Sequence, residues 1–138
     1  MKVLVNRCYG GYGISPKAFN AYMRKKNIFF TECDEDNYPV CKLEDGSTFH
    51  GHDIERNDPL LVQVFEELGS EEFSGFCSNI GIETVPDNTF YSIHEYDGME
   101  YIDQVWITAT LDELKNGLSQ EKLDLIASGC DIKLEGGI

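Results

Sequence analysis

Acidic residues are missing from the first 31 positions, and basic ones are scarce after them. Lys2, Arg7, Lys17, Arg24, Lys25 and Lys26 precede Glu32, whereas the remaining 107 residues carry five basic and 25 acidic side chains. The net charge of −14 excludes general nucleic-acid binding, since phosphate repulsion opposes it everywhere except at a local basic patch. Long apolar runs are also lacking, so no membrane span is expected. Around Lys2 and Arg7 stand only three apolar residues, too few for the apolar centre of a signal peptide. The five cysteines, Cys8, Cys33, Cys41, Cys77 and Cys130, are odd in number and without C-x-x-C spacing, which points to a reduced, cytoplasmic setting. There is no internal repeat and no low-complexity segment. At 138 residues and 41% hydrophobic, the chain is expected to form a single domain, 1–138.

What is present is concentrated in Lys2 to Asn27. Val3, Leu4 and Val5 read as a buried strand, and Gly10-Gly11-Tyr12-Gly13 as a tight turn. Ser15 then supplies a helix N-cap with Pro16 at the first helical position. Ala18, Phe19, Tyr22 and Met23 form an apolar stripe, with Lys17, Asn20 and Arg24 facing outward. A glycine loop feeding a helix N-terminus favours anions, because unpaired N–H groups and the helix dipole both attract negative charge. The candidate ligand-binding set is therefore Arg7, Tyr9, Gly10, Gly11, Tyr12, Gly13, Ser15 and Lys17, with the tyrosines able to stack on a base. Neither a Gly-Lys-Ser/Thr ending nor G-x-G-x-x-G is present, so the glycines also read simply as a strand-to-helix turn.

From Ile28 to Leu43 the chain reads as a β-excursion with an acidic tip, Asp34-Glu35-Asp36-Asn37. His50 and His52 would share a face if extended, with Cys33, Cys41 or Asp53 within reach of a metal. H-x-H without a spaced partner motif reads as polar surface, and neither a metal nor a cofactor is assigned. Asp58-Pro59 opens a helix with a Leu61, Val64, Phe65 and Leu68 stripe, stopping at Gly69. Ile80 to Val85 reads as a strand, and Asp97-Gly98 as a two-residue hairpin turn. That turn opposes Glu95 to Glu100, a second candidate surface with Tyr96; the carboxylate pair reads as solvated, as held by a cation or an Arg or Lys partner, or, least of all, as catalytic. Thr110 to Glu113 is a capping box, and Ser119 starts a last helix with Leu123, Ile126 and Ala127 as its buried side. Ile132 to Leu134 follows as a short strand.

Three stretches, Asn6-Arg7-Cys8-Tyr9-Gly10-Gly11-Tyr12-Gly13-Ile14-Ser15, Arg56-Asn57-Asp58-Pro59 and Glu95-Tyr96-Asp97-Gly98-Met99-Glu100, together resemble a group of small uncharacterised phage and prophage proteins. The resemblance covers about residues 2–23 and 53–102, and Asp103-Gln104-Val105-Trp106 stand where the group has a basic pair. It implies a phage-related context without implying an activity. The expected fold is α+β: a mixed or antiparallel sheet with two principal helices packed on it and short C-terminal helices. Three functions fit: a binding protein modulating a host or defence component, a binder of an anionic small molecule such as a nucleotide at Gly10–Gly13, or an enzyme using Cys8 or the Glu95/Glu100 pair.

Overall fold

The computed structural model describes residues 1–28, 30 and 39–135, and its fold is α+β. The acidic tip at Asp34 to Asn37 and Cys33 lie outside the described residues. Packing divides the chain into two compact units, residues 1–84 with 95–101, and residues 85–94 with 102–138.

In the first unit, β1 (Lys2–Asn6) buries Val3, Leu4, Val5 and Asn6 completely. Antiparallel pairing with β4 (Ile80–Thr84) sets Leu4 opposite Ile82 and Val5 opposite Gly81. α1 (Pro16–Lys25) starts as its sequence dictates: Ser15 Oγ accepts from the Ala18 N–H, and Pro16 occupies the first turn. Phe19, Tyr22 and Met23 enter the core, each contributing about 1.5–3 kcal/mol through lost apolar exposure. Asn20, expected to face outward, is buried with them.

α2 (Pro59–Phe73) is opened by Asp58, whose Oδ1 accepts from the Leu60 and Leu61 N–H groups. Its other oxygen accepts from Tyr22 Oη at 2.8 Å, so the cap of α2 also holds α1. Burial, then the hydrogen bond to Asp58, pushes the Tyr22 phenol well above its usual range. The expected stop at Gly69 is present as a break at φ 81°, after which residues 70–73 add another turn that buries Phe73. A hairpin, β2 (Val40–Lys42) with β3 (Thr48–His50), places Phe49 6.1 Å from the Phe19 ring.

The hairpin of β5 (Phe90–Tyr96) and β6 (Met99–Ala109) turns at Asp97-Gly98, with φ of 51° and 90°, the positive pair that a type I′ turn demands. In the second unit, the outer part of β6 pairs in parallel with β7 (Asp131–Leu134), from Trp106 opposite Asp131 to Ala109 opposite Leu134. Instead of one sheet, the described strands form three small ones: β1-β4, β2-β3 and β5-β6-β7. α3 (Leu111–Asn116) carries the expected Thr110/Glu113 capping box. α4 (Gln120–Ala127) is capped by Ser119 but has no buried residue; Leu123 is exposed, contrary to the stripe expected there.

Candidate functional site

The glycine loop after β1 is fastened from three sides. Asn6, fully buried, donates from Nδ2 to the Cys8 and Gly98 carbonyls, each at 2.8 Å. Its Oδ1 accepts from the Asn79 N–H at 2.9 Å and from the Cys8 thiol at 3.3 Å. Both donors and both acceptor positions of the amide are thereby used. The loop also fits so closely that two of its contacts admit only glycine. A Cβ on Gly10 would lie 1.7 Å from the Cys77 carbonyl oxygen, and one on Gly98 would lie 2.6 Å from both Tyr9 O and Gly11 N. Ser78 Oγ and the Gly75 N–H both donate to Gly13 O, closing the far end of the loop.

The free edge of β1 meets a buried ion pair. The Leu4 N–H donates to Arg56 O, and Arg56 Nη1 donates back to Leu4 O at 3.2 Å. Arg56 grips Glu100 with two bonds of 2.7 and 2.8 Å, and the Asn6 N–H adds a third to Glu100 Oε1 at 2.8 Å. The side chains are 22% and 8% exposed, so the pair is largely shielded from water, and its integrity rests on these directed bonds. The Arg56 guanidinium carbon also stands 3.3 Å from the Tyr12 ring centroid. Asn6, Arg56 and Glu100 come from the three sequence stretches quoted above, and here they form a single clasp.

This geometry redistributes the candidate residues. Glu95 and Glu100 differ: Glu95 is exposed and accepts from the Gly98 N–H at 2.6 Å, while Glu100 is largely buried and held by an arginine partner, Arg56. Arg7 donates to Ile82 O and Glu83, and Lys17 reaches Glu72 at 3.0 Å. Lys2 and Lys25 pair with Glu66 and Glu67, so Lys2, Arg7, Lys17 and Lys25 each stand beside an acid. Ser15 Oγ donates to Glu72 O while capping α1. The single Cys8 S–H has two acceptors within reach, Asn6 Oδ1 and Cys77 O, each at 3.3 Å, and donates to one at a time, so the thiol takes part in the clasp. Tyr12 turns one face to Arg56 and packs on the core.

Large aromatic side chains nevertheless remain exposed around the clasp: Tyr9 at 63%, Phe76 at 84% and Tyr96 at 71%. Tyr9 immediately precedes Gly10, Phe76 precedes the Cys77 that Gly10 abuts, and Tyr96 leads into the turn that covers Tyr9 O. Tyr9 and Tyr96 belong to stretches that the sequence marks out, whereas Phe76 lies in an unremarkable segment between α2 and β4. Asn6 and Arg56 were visible only as letters of the quoted stretches.

No protein-family model matches this chain, and no curated protein or solved structure matches it either. Among the described residues, no helix is long and apolar enough to cross a membrane.

Proposed function

We propose that this chain is a small acidic binding protein of phage-related context, acting in the host cytoplasm by contact with a host or defence protein. The observation that carries this reading is the exposure of Tyr9, Phe76 and Tyr96 around a backbone junction immobilised by Asn6 and the Arg56–Glu100 pair. Rigid aromatic anchors lose little conformational entropy on association and dominate the energetics of protein interfaces. Because the chain carries a net charge of −14, the fitting partner presents an apolar cleft rimmed by Lys and Arg. The phage-related context rests on the three quoted stretches.

The competing reading, an anionic small molecule at Gly10–Gly13, would draw on Arg7 and Lys17, which stand beside Glu83 and Glu72. These exposed pairs reduce the local positive field. Replacing Phe76 with a photoreactive benzoylphenylalanine and illuminating the protein in bacterial lysate distinguishes the readings. One dominant protein adduct, lost when Tyr9 and Tyr96 are changed to Ala, is expected. A co-purifying nucleotide with no specific adduct would move the function to the glycine loop.

A further inference from the structure

β3 ends at His50, and a single 3-10 turn, Gly51–Asp53, follows it. This turn is anchored from inside: Gly51 is buried, and its N–H donates to Pro39 O at 3.0 Å. Asp53 folds back so that its Oδ2 accepts from the His50 N–H at 2.8 Å. His50 and His52 do not project from one extended strand; the turn brings their rings together instead, stacked with centroids 5.0 Å apart.

We propose that His50, His52 and Asp53 form a binding site for a divalent transition ion of the zinc class. One ligand atom from each residue lies within 4.8 Å of the others. His50 Nδ1 is 3.4 Å from Asp53 Oδ2, and His52 Nε2 is 3.6 Å from Asp53 Oδ1. A tetrahedral ion with ligands at about 2.0–2.1 Å has ligand-to-ligand edges of roughly 3.3–3.4 Å, and each imidazole already stands near that distance from one Asp53 oxygen, His50 from Oδ2 and His52 from Oδ1. Rotation of His52, which is exposed and outside the backbone bonds of the turn, lets the three ligand atoms converge on one centre. Two imidazoles and one carboxylate suit Zn²⁺, Co²⁺ or Ni²⁺, whereas Ca²⁺ and Mg²⁺ require oxygen-only shells and Cu⁺ favours thiolates. Three ligands leave the remaining coordination positions to water or to a partner's side chain. Cys41, the sequence-level alternative, is buried in the core.

The test is titration of the full-length, chelator-treated protein with Co²⁺, read by visible absorption and repeated with Zn²⁺ in competition. A tetrahedral or five-coordinate cobalt spectrum should saturate at one equivalent in the wild type. The same titration should hold in Cys77→Ser, and binding should weaken at least ~tenfold in His52→Ala, which removes a ligand. Circular dichroism of His52→Ala should match the wild type, because the bond from the His50 N–H to Asp53 does not involve the His52 side chain. The proposal is overturned by any of three results: no such spectrum at one equivalent, equal affinity in His52→Ala, or a thiolate charge-transfer band that disappears after alkylation.

Discussion

Replacing Asn6 with Asp exchanges one NH₂ for an oxygen without altering shape, and it strikes the most heavily shared side chain of the clasp. In the native protein Nδ2 donates to two carbonyls at 2.8 Å, Cys8 O and Gly98 O, inside a fully buried site. The variant carboxylate has no donor when ionised, and each orphaned buried group costs about 1–3 kcal/mol before any repulsion is counted. Setting a carboxylate against two carbonyl oxygens adds to this, so the loss at pH 7 should be about 4 kcal/mol or more. For a chain of this size that is roughly a 12–20 °C fall in melting temperature. The sign of the pH dependence follows from the same contacts. Burial and two acceptor neighbours raise the pKa of the introduced carboxyl in the folded variant above its unfolded value of about 3.9. The charge-dependent part of the loss is therefore absent below about pH 3.9, grows as pH rises, and is complete above the folded pKa. Below it the protonated carboxyl donates to one carbonyl, leaving about 1–3 kcal/mol missing for the other. Thermal melts of both proteins from pH 4 to pH 8 measure this. An Asn6→Asp variant melting within ~2 °C of wild type at pH 7 would show that the two amide bonds do not hold the junction, because a loss of even 1 kcal/mol exceeds that margin.

The buried pair should behave as a unit: Arg56→Met alone or Glu100→Leu alone should each cost about 3–5 kcal/mol, and the double variant should recover part of that loss. Urea melts of all four proteins measure the coupling, and additive losses would contradict it. Gly10→Ala should lower stability by more than ~2 kcal/mol because its methyl meets the Cys77 carbonyl, whereas Gly13→Ala, with open space around it, should stay within about 1 kcal/mol. Calorimetry of both variants checks the contrast, and equal losses would mean the loop is not pinned at Gly10. Under iodoacetamide at pH 8, exposed Cys77 should be alkylated before Cys130, whose thiol is pushed up by burial and then by the Asp131 charge, and Cys41 should react last. Time-resolved peptide mapping gives the order, and early modification of Cys41 would contradict its burial.

The features that the sequence displayed most clearly are those whose causes are local. Ser15-Pro16, Asp58-Pro59 and the Thr110/Glu113 box each satisfy their own helix end within four residues, and Asp97-Gly98 carries its turn geometry in its own φ angles. The clasp was not legible in that way. Asn6 finds its partners at Asn79 and Gly98, and Glu100 finds Arg56, 44 positions away, so an isolated hairpin register left Glu95 and Glu100 as an apparent like-charge pair. The positive early segment misled for a related reason, since the acids that accompany Lys2, Arg7, Lys17 and Lys25 lie on α2 and β4. On α4 the periodicity of Leu123, Ile126 and Ala127 is real, but none of the three is buried. Phe76 had no periodic or motif signal, because an exposed aromatic in an irregular segment differs from a buried one only through tertiary structure.

Whether contact is made by the aromatic rim, and not by the early cations, is decided by affinity for the partner captured through position 76. Isothermal titration at low and physiological salt would compare wild type with Tyr9→Ala/Phe76→Ala/Tyr96→Ala and with Arg7→Gln/Lys17→Gln. The aromatic variant should bind at least ~100-fold more weakly at both salt concentrations, since central aromatic anchors each carry about 2 kcal/mol or more. The charge variant should remain within about threefold, its cations being exposed and already beside acids. The opposite pattern, an unaffected aromatic variant and a salt-dependent collapse of the Arg7/Lys17 variant, would contradict the rim as the contact surface and place it on the glycine loop.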